Sequence, residues 1–114
     1  MKLVNKAAIV IKPKQPFINW ANHFDDDGPT LSLEDARHDP DVSLVDDLEN
    51  ELEKEKVVRK YYKTIFEHEL EAWMTDENSW PVKRDLRTFL NWFDVDICSM
   101  VLNLARDPLW EEPY

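Results

Sequence analysis

Four residues spaced like part of a calcium loop are the first place in this chain where chemistry could sit. Asp25, Asp27, Gly28 and Glu34 fill the third, fifth, sixth and twelfth positions of the pattern D-x-[DN]-x-[DN]-G-x5-E. Carboxylate oxygens so placed suit a hard divalent cation, Ca2+ or Mg2+. The first position is His23 and the eighth is Thr30. Imidazole is a poor calcium ligand, and the sequence holds no second such loop to pair with the first. The competing reading is an acidic turn, Asp25-Asp26-Asp27-Gly28-Pro29, in which glycine supplies a positive φ.

Asp94 and Asp96 form a second constellation. Two positions apart on a predicted strand, they share one face. Paired carboxylates can act as acid and base or hold a metal. Their place at the strand start suits a solvated pair equally well. His23, His38 and His68 show no zinc-ligand spacing with Cys98. Cys98, on a strand read as buried, fits an inert small hydrophobe better than a nucleophile. Five tryptophans are many for 114 residues. Trp80, in a polar loop before Pro81, is expected to be exposed. Trp80 and Trp110 are therefore candidate contacts for a protein partner, and a sugar-stacking role is the lesser alternative.

These residues must be held by elements legible from hydrophobic spacing. Ala7 to Ile11 is short and β-branched, ends at Pro13, and reads as a buried strand. Pro16 suits a helix start, and Phe17, Ile18, Trp20, Ala21 and Phe24 recur at helical spacing. Leu31 to Arg37 can form one helical turn, with Ser32 as N-cap and Asp35 at the capping-box position. Val42 to Val45 reads as a second strand. Leu48 to Met74 reads as one long helix, with acidic first turns facing solvent. After a loop from Thr75 to Lys83, Asp85 to Trp92 reads as a short helix. Val95 to Leu104 reads as a central strand, because apolar residues past Ile97 occupy both faces.

The expected fold is α+β: one domain over 1–114, in the order β-α-β-α-α-β. A three-stranded sheet carries one long and two short helices. Its edges make pairing between chains, as a homodimer, a natural expectation.

Composition narrows function further. Gly28 is the only glycine, so no P-loop, dinucleotide fingerprint, kinase glycine loop or nucleophile elbow can be written. The net charge is −10, and residues 25–55 alone hold 13 acids against Arg37 and Lys54. Such a surface repels phosphate, which disfavours nucleic acid and anionic membranes as partners. It is compatible with a basic or mixed-charge protein partner. One cysteine cannot form an intramolecular disulfide, and no signal-peptide or membrane-span pattern is present. These point to the cytoplasm.

Lys12-Pro13-Lys14-Gln15-Pro16-Phe17, the Asp-Asp-Asp-Gly-Pro turn, Thr75 to Pro81 and Trp92-Phe93-Asp94-Val95-Asp96 resemble a family of small uncharacterised bacterial proteins. The resemblance covers nearly the whole chain. It implies a soluble bacterial protein and carries over no catalytic residue. The leading expectation is a non-enzymatic protein-binding or regulatory module with no cofactor. Its contacts would be Asp25, Asp26, Asp27, Trp80 and Trp110. A Ca2+ or Mg2+ site at Asp25, Asp27 and Glu34 is the first alternative. An enzyme built on Asp94 and Asp96 is the second.

Overall fold

Small and β-branched residues after Lys6 make a strand that pairs along both of its edges. A computed structural model describes residues 1–24 and 30–114. Its central strand is β2 (Lys6–Pro13), flanked antiparallel by β3 (Asp41–Asp46) and β4 (Phe93–Cys98) in the order β3-β2-β4. Ala7, Ile9 and Ile11 alternate onto the core face. A second, two-stranded sheet joins β1 (Lys2–Val4) to β5 (Val101–Asn103).

The expected α+β class with a small sheet and several helices is what the chain forms. The strand count and order differ: there are five strands in two sheets among the described residues. The expected strand from Val95 to Leu104 is in fact two, and β4 begins at Phe93. Ala8 lies opposite Cys98, whereas Val4 lies opposite Val101. Asn5-Lys6-Ala7 therefore faces only Ser99-Met100, the extra residue of a bulge. The break separates the two sheets. β4 is an edge strand, not a central one, and Cys98 is exposed rather than buried. Apolar residues on both faces past Ile97 signalled this break, with Met100 and Leu102 left exposed.

The helices follow their local chemistry. α1 (Gln15–Asn22) carries Pro16 in its first turn and buries Phe17, Ile18 and Ala21. In α2 (Leu33–Arg37), the Asp35 backbone N–H donates to Ser32 Oγ at 3.0 Å, the cap expected from sequence. α3 (Glu53–Trp73) starts five residues later than its apolar stripe suggests. Upstream, Asp47 and Asn50 side chains accept from the N–H groups of Leu48 and Leu52, and Glu53 accepts from that of Glu49. Such side chains offer the backbone a turn in place of a helix. In α4 (Leu86–Trp92), Thr88 N–H donates to the Asp85 cap at 2.9 Å. Phe93 then turns extended and opens β4 with no loop between.

The core lies between the sheet and α1, α3 and α4, where Phe17, Phe66, Phe89 and Phe93 meet. Ring centroids stand 5.1 Å apart for Phe17–Phe93 and 5.3 Å for Phe89–Phe93, spacings typical of attractive aromatic pairs. Three indoles tie elements together through backbone carbonyls. Trp20 Nε1 donates to Ser79 at 2.9 Å, Trp73 to Ala21 at 2.9 Å and Trp80 to Met74 at 2.7 Å. Trp80 is thus not the exposed loop aromatic expected: only 9% of it reaches solvent. The polar loop residues are a cover around it, and its amphipathic ring packs inward with the N–H satisfied. Among the described residues, no helix is long and apolar enough to cross a membrane.

Candidate functional site

The most unusual side chain in the described structure is one that spacing did not single out. Glu69 faces inward from α3, with its side chain only 15% exposed. Leu70 and Phe66 on the same helix are fully buried and fix its rotation. Burial pushes the Glu69 carboxyl up to about 8, and its hydrogen bond and repulsion with Asp41 add to the effect. At neutral pH Glu69 is therefore largely protonated. His68 Nδ1 stands 3.9 Å from Glu69 Oε1, beyond hydrogen-bond reach. A protonated Glu69 forms no ion pair with it.

Asp41 and Glu69 lie where two concavities meet. One, about 210 Å3, has apolar walls that include Ile11, Phe17, Trp73 and Phe93. The other, about 480 Å3, is a groove along the margin of β3, walled by Thr64, Ile65 and His68 of α3 and reaching Tyr114. The Tyr114 ring stands 5.3 Å from that of His68. The arrangement offers a carboxyl pair at the junction of an apolar pocket and a strand edge. Such a pair can accept a proton or receive a cationic group. A period-3.6 reading of α3 could have flagged Glu69, since it lies beside Leu70 and four residues after Ile65. Its meeting with Asp41 joins positions 28 residues apart, and local spacing carries no trace of that.

The residues expected from sequence are dispersed. Asp25, Asp26 and Asp27 lie outside the described residues, as does Gly28. Glu34, the remaining member of the expected cation loop, is exposed on α2. Among the described residues, no three His, Cys, Asp or Glu side chains gather as a metal-ligand set. Trp110 is exposed in the tail, far in character from buried Trp80.

Asp94 and Asp96 do share a strand face, opposite Lys12 and Val10 of β2. Asp94 Oδ2 is held by Arg37 Nη1 at 2.8 Å, with Lys14 Nζ 3.8 Å from its other oxygen. Arg37 also donates to the Pro13 carbonyl at 3.0 Å. Asp94 thereby fastens α2 and the start of α1 to the sheet, and neither aspartate lines the concavities around Glu69.

A third feature is the segment that links β3 to α3. Asp47, Glu49, Glu51 and Glu55 are exposed, and Leu52 projects among them at 86% exposure. Lys54 pairs with Glu51 at 2.8 Å, Arg59 with Glu55 at 3.2 Å and Lys60 with Asp46 at 3.3 Å. The hydrogen bonds from Lys60 and Tyr61 hold the Asp46 carboxyl below its ordinary range.

No protein-family model, no curated protein and no solved structure matches the chain.

Proposed function

We propose that this chain is a small acidic protein-binding or regulatory module of the bacterial cytosol, and that its partner surface is basic. The observation that supports this reading most directly is Leu52, an apolar knob in a field of exposed carboxylates. An apolar anchor with a polar, charged rim is the anatomy of a binding hot spot. Lys54, Arg59 and Lys60 answer only part of the negative charge, so a basic surface would find carboxylates at Asp47 and Glu49 that form no ion pair among the described residues. Complementary charge of this kind chiefly raises association rate and selectivity, and salt weakens it. Trp110, exposed at 77%, is a further contact aromatic.

The test is affinity capture with mass spectrometry at low and high salt. The wild type is compared with Asp47→Asn/Glu49→Gln and with Leu52→Ser. A partner enriched in Lys and Arg should be retained at low salt, lost at high salt and reduced with both variants. Capture that ignores salt and both variants would sink the reading.

A further inference from the structure

We infer that β3 is an open docking edge, and that an extended peptide alternating basic and apolar residues adds to it as a fourth strand. This rests on the basic-partner reading above and specifies its geometry. β3 terminates the sheet, so β2 satisfies only one of its backbone edges. Among the described residues, no other backbone hydrogen bond reaches 41–46. An unpaired edge is a template for strand addition unless it is protected.

The two edges of this sheet are treated differently. β4 carries Asp94 and Asp96 within its length, and Arg37 reaches across to Asp94. Charges inside a strand are a standard protection against edge pairing. β3 has acids only at its ends, Asp41 and Asp46, and the run Val42-Ser43-Leu44-Val45 between them is uncharged. Val42 is 58% exposed and Leu44 48%.

The chemistry of the occupant follows from strand alternation. Val45 enters the core, so Asp41 and Ser43 share its face, while Val42 and Leu44 lie on the outer face, followed by Asp46, which Lys60 pairs. The groove between β3 and α3 borders the first face and holds the Asp41–Glu69 pair. A strand laid beside β3 would set one alternate row of side chains on the face of Asp41 and Ser43, where Asp41 is the acid that answers a cation and Glu69, largely protonated at neutral pH, adds no charge. The other row would lie beside Val42 and Leu44. Lys or Arg suits the first row and Val, Ile or Leu the second, since neighbouring strands favour opposite-charge and apolar pairs. The acidic link 47–55 continues the same charge complementarity beyond the strand end.

The probe is a blocked eight-residue peptide alternating Lys and Val. Its controls are a four-Lys, four-Val block peptide and an alternating peptide N-methylated on one backbone edge. Binding to the full chain is read by calorimetry, and amide exchange is read by NMR. The alternating peptide should bind at least about tenfold tighter than either control and slow exchange at amides within 42–45. Val42→Lys, at an exposed position that leaves the core intact, should weaken it by about tenfold. Equal, salt-sensitive binding of all three peptides would overturn strand addition while leaving the basic-partner reading standing. So would the absence of peptide binding alongside salt-sensitive capture. Protection of 42–45 without peptide, together with a dimer in sedimentation, would instead make a second copy the occupant and overturn the proposal.

Discussion

Replacing Glu69 with Gln should remove a pH-dependent weakness of the fold without emptying its site. In the native chain the Glu69 carboxyl sits near 8, raised from 4.5 first by burial and then by Asp41. The unfolded chain ionises it at the ordinary value. Between those pH values the native state holds more of this proton than the unfolded state, so stability falls as pH rises through the window. The contribution is complete below about 4.5 and lost above about 8. At ~1.36 kcal/mol per tenfold change, that gap sets a ceiling near ~5 kcal/mol. The side chain keeps 15% exposure beside an open groove, and solvent relaxation lowers the expected effect to ~2 kcal/mol. Glu69→Gln keeps the shape and a donor toward Asp41 at every pH. Urea unfolding should show the two proteins nearly equal at pH 5. At pH 8.5 the variant should be more stable by ~2 kcal/mol, or roughly 8 °C in Tm. Asp41→Asn should lower the Glu69 titration only partly, because burial is the larger cause. Parallel stability curves from pH 5 to 8.5, or a carbon-13 titration of Glu69 below pH 5.5, would refute the reasoning.

Other perturbations read other parts of the fold. Trp20→Phe keeps the aromatic packing but leaves the Ser79 carbonyl without its 2.9 Å donor; a loss of ~1–2 kcal/mol in denaturant unfolding is expected. Ser32→Ala removes the cap of α2, which should cost ~1 kcal/mol and speed amide exchange at Asp35. Arg37→Ala breaks a half-exposed ion pair with Asp94 and the bond to Pro13; a change under ~1 kcal/mol is expected, and smaller still at high salt. The Cys98 thiol is exposed on edge strand β4, so it should react with a thiol reagent in the native state as fast as in denaturant.

Local chemistry was legible wherever a backbone group and a side chain a few residues apart settle the outcome. Ser32 and Asp35, Pro16 in the first turn of α1, and the β-branched run of β2 all needed only sequence neighbours. The start of α3 was less legible, since the apolar stripe extends upstream while Asp47 and Asn50 turn the backbone aside. Trp80 shows a different limit. Polar neighbours mark a loop, but whether an indole in that loop faces water depends on a carbonyl such as that of Met74 being in reach.

By itself the sequence determined the composition of each face, the caps and breakers, the excess of acid in 25–55, and the absence of any glycine-built phosphate site. Only the tertiary structure decided that Asp41 meets Glu69, that β4 and not β3 carries charges within its edge, and that Cys98 faces solvent. The physical reason is range. Hydrogen bonding and hydrophobic periodicity act over one or two turns, so they are written in adjacent residues. The ionisation of Glu69 depends on what surrounds it, and its surroundings come from β3, 28 positions earlier, once the core has closed.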